Sequence, residues 1–542
     1  MGSTGVLVEE WRAFFYTECA YLNRRKRAPP LVEHFNFPID FRELSGPLGK
    51  QLDTDWSGGD LTSDGGLLLL VQADQQLGLS ASIAGAIGDS RARGRVQFSE
   101  RELALTRMIT VAAGYADTND LNALRYDPGL LISLGHRPGA GRVASQSSFS
   151  RFENRVRKTQ VLRAAYVVAR CAVSQLPVAS KRVTIELDGS DDACHGQQEL
   201  AGFNNYYKSN CFMPLLVHIM GEDGRRWLVG VALRPGRSGG AKGFPSILKR
   251  VVKLVRERCP HAEITVRCDS GFGQESHFAL CDEERVNYVI GLPSNPRLDY
   301  LARSRQQQAL AKYQTCKGEL LRARTAEAER LAKLEPAGGR PIELDWAAKW
   351  EQNDPLDTAI AEAGSVTYGS AYYRTEKGKT VRRVAIQTKV AGGKVLTRYL
   401  VTNILPPIPE VPREGWSAQR VFDFYACRGD QENRIKEWKL DLDGGRTSCH
   451  RFVANQFRLV LHTAATLLMN ALQSLLPRES PHAKLTVGSL RLHVIKVAAR
   501  AIVSTRRILL QYATSFAHKA LFSFLNQALL SGALQSGRAP AT

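Results

Sequence analysis

Between Val183 and Gly291 the sequence alternates strand-like and helix-like stretches in an order that few architectures accept. Val183-Thr-Ile-Glu-Leu-Asp188 is short and rich in β-branched residues, which predicts a strand. Cys211 to Met220 reads as a second strand and Arg226 to Leu233 as a third, joined by a hairpin turn at Gly221-Glu-Asp-Gly224. A Gly-rich loop leads into a helix over Phe244 to Arg258. A fourth strand, Glu263 to Cys268, stops at Asp269-Ser-Gly271. A helix over Glu275 to Glu284 and a fifth strand over Asn287 to Gly291 complete the series. Three strands, a helix, a strand, a helix and a strand predict an α/β fold around one mixed sheet.

That order is the order of a ribonuclease-H-like core. In it the first and fourth strands lie side by side, so Asp188 and Asp269, at their ends, are expected at one sheet edge. A helix carrying a third acid should follow. Instead, Arg297 to Ala332 reads as a long charged helix. Strand-like runs come next, at Ser365 to Arg374, Val381 to Val390 and Val395 to Val401, with turns at Lys377-Gly378-Lys379 and Gly392-Gly393. We read residues 297–410 as an insertion of one long helix and antiparallel strands within a core of residues 181–296 and 411–448. Pro406-Pro407 and Pro409 mark its end.

The core resumes with Tyr425 to Lys439, a stretch without Pro and rich in straight-chain residues, which predicts a helix. At about 100° per residue, Tyr425, Arg428, Glu432 and Lys439 fall within roughly 60° of one another. Asp430 and Glu437 point elsewhere, about 160° to 200° and about 140° from Glu432. Glu432 is thus the candidate third acid. Three close carboxylates repel one another and stay ionised only around a cation. Hard oxygen donors suit Mg²⁺ or Mn²⁺. Two such ions about 4 Å apart activate an attacking hydroxyl and stabilise a leaving oxygen in phosphodiester cleavage. Taken singly, each strand-end acid reads as readily as a cap or loop hydrogen bond. Asp191, Asp192 and Glu186 stand near Asp188, and strict alternation puts Glu186 on the same sheet face. His195 beside Cys194 suggests zinc or a general base, but its Gly-flanked setting reads as a loop near the site.

The flanks are helical and basic. Residues 46–180 carry a capping box, Ser99-x-x-Glu102, ahead of an apolar helix, and Thr62 or Ser63 is placed to cap the helix of Leu67 to Leu70. Ser145 to Ser148 precede a long helix through Arg170, and Arg151 to Arg182 holds eight Lys or Arg against Glu153 alone. Residues 449–542 read as a helical basic region. Residues 1–45 read as a loosely ordered arm with Arg24-Arg25-Lys26-Arg27. The chain of 542 residues has 73 Lys and Arg against 53 Asp and Glu, a surplus of +20 that points to a polyanion. Apolar runs such as Leu67 to Val71 are far short of the ~18 residues of a membrane span, and ten scattered cysteines fit a reducing cytoplasm.

The spacing Tyr425-x2-Arg428-x3-Glu432-x6-Lys439 resembles the Tyr-Arg-Glu-Lys signature of bacterial insertion-sequence DDE transposases. Several longer motifs are similar to the DDE group 1 subgroup. They are Leu61-Thr-Ser-Asp-Gly-Gly66, Ser148-Phe-Ser-Arg-Phe-Glu153, Asp188-Gly-Ser-Asp-Asp-Ala-Cys-His-Gly-Gln-Gln-Glu199 and Arg234-Pro-Gly236. Arg267-Cys-Asp-Ser-Gly-Phe272, Arg428-Gly-Asp-Gln-Glu-Asn-Arg-Ile-Lys-Glu437 and Asn455-Gln-Phe-Arg-Leu459 follow in order. Cys268 stands where such proteins often have Ala.

The resemblance implies a transposase that cuts at the terminal inverted repeats of its own element and joins the ends to target DNA. It implies Asp188, Asp269 and Glu432 as the ligands of two Mg²⁺ or Mn²⁺ ions, Arg428 and Lys439 on DNA phosphate, and Tyr425 beside them. It further implies a homodimer in the complex with paired ends, nucleoid-associated in a bacterial cytoplasm and without membrane contact. Trp346 and Trp350 are candidates for stacking on a displaced base, or plain core residues. Two other readings stay open: a DNA-binding protein descended from a transposase and no longer catalytic, and a plain nuclease of the same core.

Overall fold

A computed structural model describes residues 55–333, 355–374, 380–407 and 415–536, except 93 and 95. The basic arm at Arg24 to Arg27, the turn at Lys377 to Lys379, Pro409, Trp346 and Trp350 lie outside the described residues. The chain divides after Gly59, and from Asp60 on it forms one compact unit. Of the N-terminal unit the structure describes only a turn, in which Ser57 donates its N–H and hydroxyl to Asp55 Oδ1 at 3.1 and 2.7 Å.

A mixed sheet of eight strands runs through the compact unit: β1 Arg182–Gly189, β2 Leu215–Met220, β3 Arg226–Ala232, β4 Glu263–Cys268, β5 Asn287–Leu292, β6 Thr367–Arg374, β7 Val381–Ala391 and β8 Lys394–Thr402. Their spatial order is β6-β7-β8-β5-β4-β1-β2-β3. β1, β4 and β5 are parallel neighbours; all other pairs are antiparallel. The three β-branched and apolar residues Val183, Ile185 and Leu187 of β1 are buried on one face, and Thr184, Glu186 and Asp188 on the other, because both faces are covered.

Two expectations change here. The run Cys211 to Met220 is not one strand. Pro214, which lacks an N–H, divides it. Ser209–Phe212 pairs in a small separate sheet with Gly202–Asn204 and Asp192–Ala193, and only Leu215–Met220 joins the main sheet. The antiparallel strands after the long helix do not form a layer of their own. β8 pairs with β5, Tyr399 opposite Leu292 and Thr402 opposite Val289, and so prolongs the core sheet. The turn at Gly392-Gly393 is as expected, with both residues at positive φ, where a side chain would be strained.

The longer helices are α1 Leu67–Leu77, α2 Leu79–Ile87, α3 Glu100–Ala112, α4 Gln146–Arg155, α5 Lys158–Ser174, α6 Phe244–Arg258, α7 Glu275–Glu283, α8 Pro296–Lys333, α9 Pro355–Gly364, α10 Ala418–Ala426, α11 Arg428–Leu440, α12 Phe452–Leu475 and α13 Lys519–Leu530. Ser99 Oγ accepts the Glu102 N–H at 3.1 Å, as its motif predicts. The helix expected from Ser145 through Arg170 is broken at Val156 and Arg157, which are extended. The Gln160 side chain there accepts the Arg157 N–H and starts α5 afresh. Neither Thr62 nor Ser63 caps α1. Thr62 pairs as a strand residue with Ala499 and donates its hydroxyl to Asp127.

One hydrophobic core joins both flanks to the sheet, from Leu67 and Phe149 through Ile185 and Val266 to Leu467 and Leu525. Its central rod is α12, buried on nearly every side. The C-terminal region is not all helix: Ala499–Val503 and Ile508–Tyr512 form a hairpin, and Leu61–Thr62 pairs with it. The motif Leu61 to Gly66 is explained by that union. A Cβ on Gly66 would lie 1.8 Å from the Val494 carbonyl oxygen, so only glycine lets the two chains meet, and buried Asp64 pairs with Lys496 at 2.7 Å. No helix among the described residues is long and apolar enough to cross a membrane.

Candidate active site

Asp188 is the penultimate residue of β1, and Asp269 directly follows β4. The two strands are parallel neighbours with Leu187 opposite Cys268, so the next residue of each brings a carboxylate to the same sheet edge. Asp269 has a second task. Its Oδ1 accepts the Gly271 N–H at 2.9 Å and caps the short helical turn Ser270–Phe272, which leaves Oδ2 for the site.

Glu432 arrives on α11. Ile435 and Trp438 on the other side of this helix are buried against Leu216, Leu228, Val231 and Leu459, which turns Glu432 to the solvent side over the edge. The expectation of one helix over Tyr425 to Lys439 needs correction. Tyr425 lies in the last turn of α10, which ends at Ala426; Cys427 stands between the helices, and Arg428 begins α11. Tyr425 therefore does not ride on the Glu432 helix. It packs at the fringe of a cluster formed by Val289, Leu400, Val421 and Phe422.

The three acids meet at one guanidinium. Arg428 Nη2 lies 2.9 Å from Asp188 Oδ2 and 3.9 Å from Asp269 Oδ2, and Nη1 lies 2.6 Å from Glu432 Oε1. Burial would lower the Arg428 pKa, but the surrounding anions, Asp188 first, raise it overall. Asp188 is pushed up to about 6 by burial; Arg428 works against the shift, while Asp269 and Glu432 add to it. Tyr425 is also raised, chiefly by burial. Lys439, the penultimate residue of α11, donates to Asp191 Oδ1 at 2.8 Å.

Among the described residues, no group of three His, Cys, Asp or Glu side chains is placed to hold a metal ion. In the acid cluster the carboxylates face a cation supplied by the chain itself. The donor set remains chemically suited to a hard divalent ion, since it consists of carboxylate oxygens converging on one positive charge. For Cys194 the zinc reading has no support. Burial pushes its thiol up to about 12, and it donates to the Asp192 carbonyl at 3.6 Å.

The neighbouring acids have structural partners. Glu186 is fully buried between Arg226 and Arg267. Asp192 is buried and accepts the Thr447 hydroxyl at 2.6 Å. Glu437 pairs with Arg434 at 2.8 Å, and Asp430 lies 3.4 Å from Arg226. Asp191, which the sequence marks only as a neighbour of Asp188, holds Lys439. Sequence reasoning passed over Ser270, Thr397 and the exposed Arg398, which line a cleft of about 380 Å³ with Tyr425, Arg428 and Glu432. Arg398 had no readable signal, because only the β8–β5 pairing carries it to the edge.

A search among curated proteins gives no match. The model of the family described as Transposase DDE domain group 1 matches residues 45–532. The chain belongs to that family.

Proposed function

We propose that this chain is a DNA transposase that binds the terminal inverted repeats of its insertion sequence, cleaves the DNA there and transfers the freed strand to target DNA. The observation that carries the reading is the convergence of Asp188, Asp269 and Glu432 on one cation at the carboxyl edge of the sheet, in a member of this family. The strand order β3-β2-β1-β4-β5, antiparallel then parallel, supports a ribonuclease-H-like core for residues 181–296 and 411–448.

In this reading Asp188, Asp269 and Glu432 would hold two Mg²⁺ or Mn²⁺ ions. The ions, when bound, supply Lewis-acid activation of the attacking hydroxyl and stabilisation of the leaving oxygen. Arg428 and Lys439 grip phosphate beside the cut, exchanging their carboxylate partners for DNA oxygens. Tyr425 buttresses Arg428 from the end of α10. Exposed Arg157 at the start of α5, Lys158, Arg163 and Arg170 on it, and Arg500, Arg506 and Arg507 on the C-terminal hairpin, are the DNA-facing charges of the two flanks. Residues 297–410 bring Arg398 to the cleft. A homodimer assembles on the paired ends, in the bacterial nucleoid.

The test is cleavage of a DNA carrying the element's ends. Asp269→Ala and Glu432→Ala are expected to abolish Mg²⁺-dependent nicking while end binding stays within a few-fold. Wild-type cleavage by either variant would remove that residue from the site. End binding without any nicking by the wild type would favour the non-catalytic reading.

A further inference from the structure

Beneath the candidate site, one pleat back along the same two strands, lies a second charged group that no part of the proposed chemistry uses. Glu186 precedes Asp188 by two residues and Arg267 precedes Asp269 by two, and the two are register partners across β1 and β4. Both side chains are fully buried. Arg267 Nε donates to Glu186 Oε1 at 3.0 Å and Nη2 donates to the same oxygen. Arg226, the first residue of β3, donates from Nε to Glu186 Oε2 at 3.0 Å. Each oxygen of one buried carboxylate thus holds one arginine.

Each arginine then passes a hydrogen bond to the helix junction. Arg267 Nη1 donates to the Phe424 carbonyl, and its guanidinium lies 4.6 Å from the centre of the Phe424 ring. Arg226 Nη2 donates to the Cys427 carbonyl at 2.9 Å, and Nη1 reaches Asp430 Oδ2 at 3.4 Å. Phe424 and Cys427 flank the point where α10 stops and α11 starts. The last four carbonyls of a helix have no partner within it and carry its negative dipole end. Arg267, fixed by Glu186, donates to one such carbonyl, that of Phe424, while Arg226 donates to the carbonyl of Cys427 between the helices, which also accepts the Asp430 N–H at 3.3 Å. This is a physical reason for the break at Cys427 in a stretch whose residues favour one continuous helix.

We propose that Glu186, Arg226 and Arg267 are positioning residues: a buried clasp that fixes the α10–α11 junction to the sheet and so sets Arg428 and Glu432 against Asp188 and Asp269. The inference rests on the function proposed above, because it takes those four as the working groups. The clasp lies inside the sheet–helix contact and touches no substrate. A shift of the junction by about 1 Å would carry Arg428 and Glu432 with it, and misplacement on that scale costs on the order of 10²-fold in rate.

Arg226→Lys keeps the charge but has only one donor centre, so it cannot hold Glu186, Cys427 and Asp430 together. In the full-length protein, with Mg²⁺ and an end-containing DNA, it is expected to melt within a few degrees of wild type. Its kcat for nicking should fall at least tenfold with KM for the DNA end unchanged, and Arg226→Ala should fall further. Native-state hydrogen exchange read without DNA should speed at least tenfold at the amides of Glu432 to Lys436, but not in β4 or β5. A folded Arg226→Lys with wild-type kcat and wild-type exchange would overturn the clasp.

Should the arginine variants fail to fold, exchange of the wild-type protein decides. Opening of the Glu432 to Lys436 amides far below the stability of β1 and β4 would overturn the inference; opening only together with them would support it. A wild type that never nicks DNA would count against the proposed function, while the exchange data would still report on the clasp.

Discussion

Arg428 Nη2 stands 2.9 Å from Asp188 Oδ2, and the same guanidinium holds Glu432 at 2.6 Å. The cation that the described residues place among the three acids is therefore a residue proposed to act on DNA. Divalent ions and the guanidinium compete for the same oxygens, so occupancy by one disfavours the other. Arg428→Gln is expected to tighten Mn²⁺ binding by the DNA-free protein by roughly tenfold, about 1.4 kcal/mol, in calorimetry. The same variant should weaken binding of DNA ends by a similar factor, the scale of one charge-assisted hydrogen bond. Unchanged or weaker Mn²⁺ binding would show that Arg428 does not guard the acids.

The sheet edge was legible because strands write themselves locally. β-branched runs ending in Asp188 and Asp269 gave both the strands and the acids, and the element order gave their adjacency. The α10–α11 break was not legible, because its causes are Arg226 and Arg267, which are about 200 and 157 residues away in the chain. Glu186 shows the same limit from the other side. Alternation put it on the face of Asp188, and only the two arginines show that it is a buried anchor and not a ligand. The C-terminal hairpin was missed for a related reason: its neighbour in the sheet is Leu61–Thr62, at the far end of the unit. The motifs at Ser148 to Glu153 and Asn455 to Leu459, which carry part of the resemblance, build the core.

Glu153 is the sharpest case. It is buried with Arg107 Nε at 3.1 Å and Arg458 Nε at 3.8 Å, all three side chains being 1–2% exposed. Burial already drives the Arg107 pKa down, with Glu153 opposing the shift. Glu153→Gln would leave two arginines in a dry site without their anion. The expected cost is about 3–5 kcal/mol in urea unfolding, the range for breaking a buried ion pair from one side. The exposed pair Arg330–Glu327 serves as control, with a loss below about 1 kcal/mol expected. A Glu153→Gln variant as stable as that control would mean water reaches the triad.

Asp192 should make the fold lose stability as pH rises from acid to neutral. Burial pushes its carboxyl up to about 7; the Thr447 hydroxyl and the charges of Lys439 and Arg458 oppose the shift, while Asp191 adds to it. In the unfolded chain such a group titrates near 3.9. A folded-state pKa above the unfolded one gives stability that is complete below about pH 4 and is lost as pH rises through 7. Between pH 5 and 7 the loss attributable to Asp192 is on the order of 2 kcal/mol, at about 1.4 kcal/mol per pH unit. Asp192→Asn keeps an acceptor for Thr447 and carries no proton equilibrium. Its unfolding free energy should decline less than that of the wild type over this interval, with the two curves separating as pH rises. Parallel curves from pH 5 to 8, followed by urea titration at each pH, would show that Asp192 is already ionised in the folded protein and that its neighbours hold the charge.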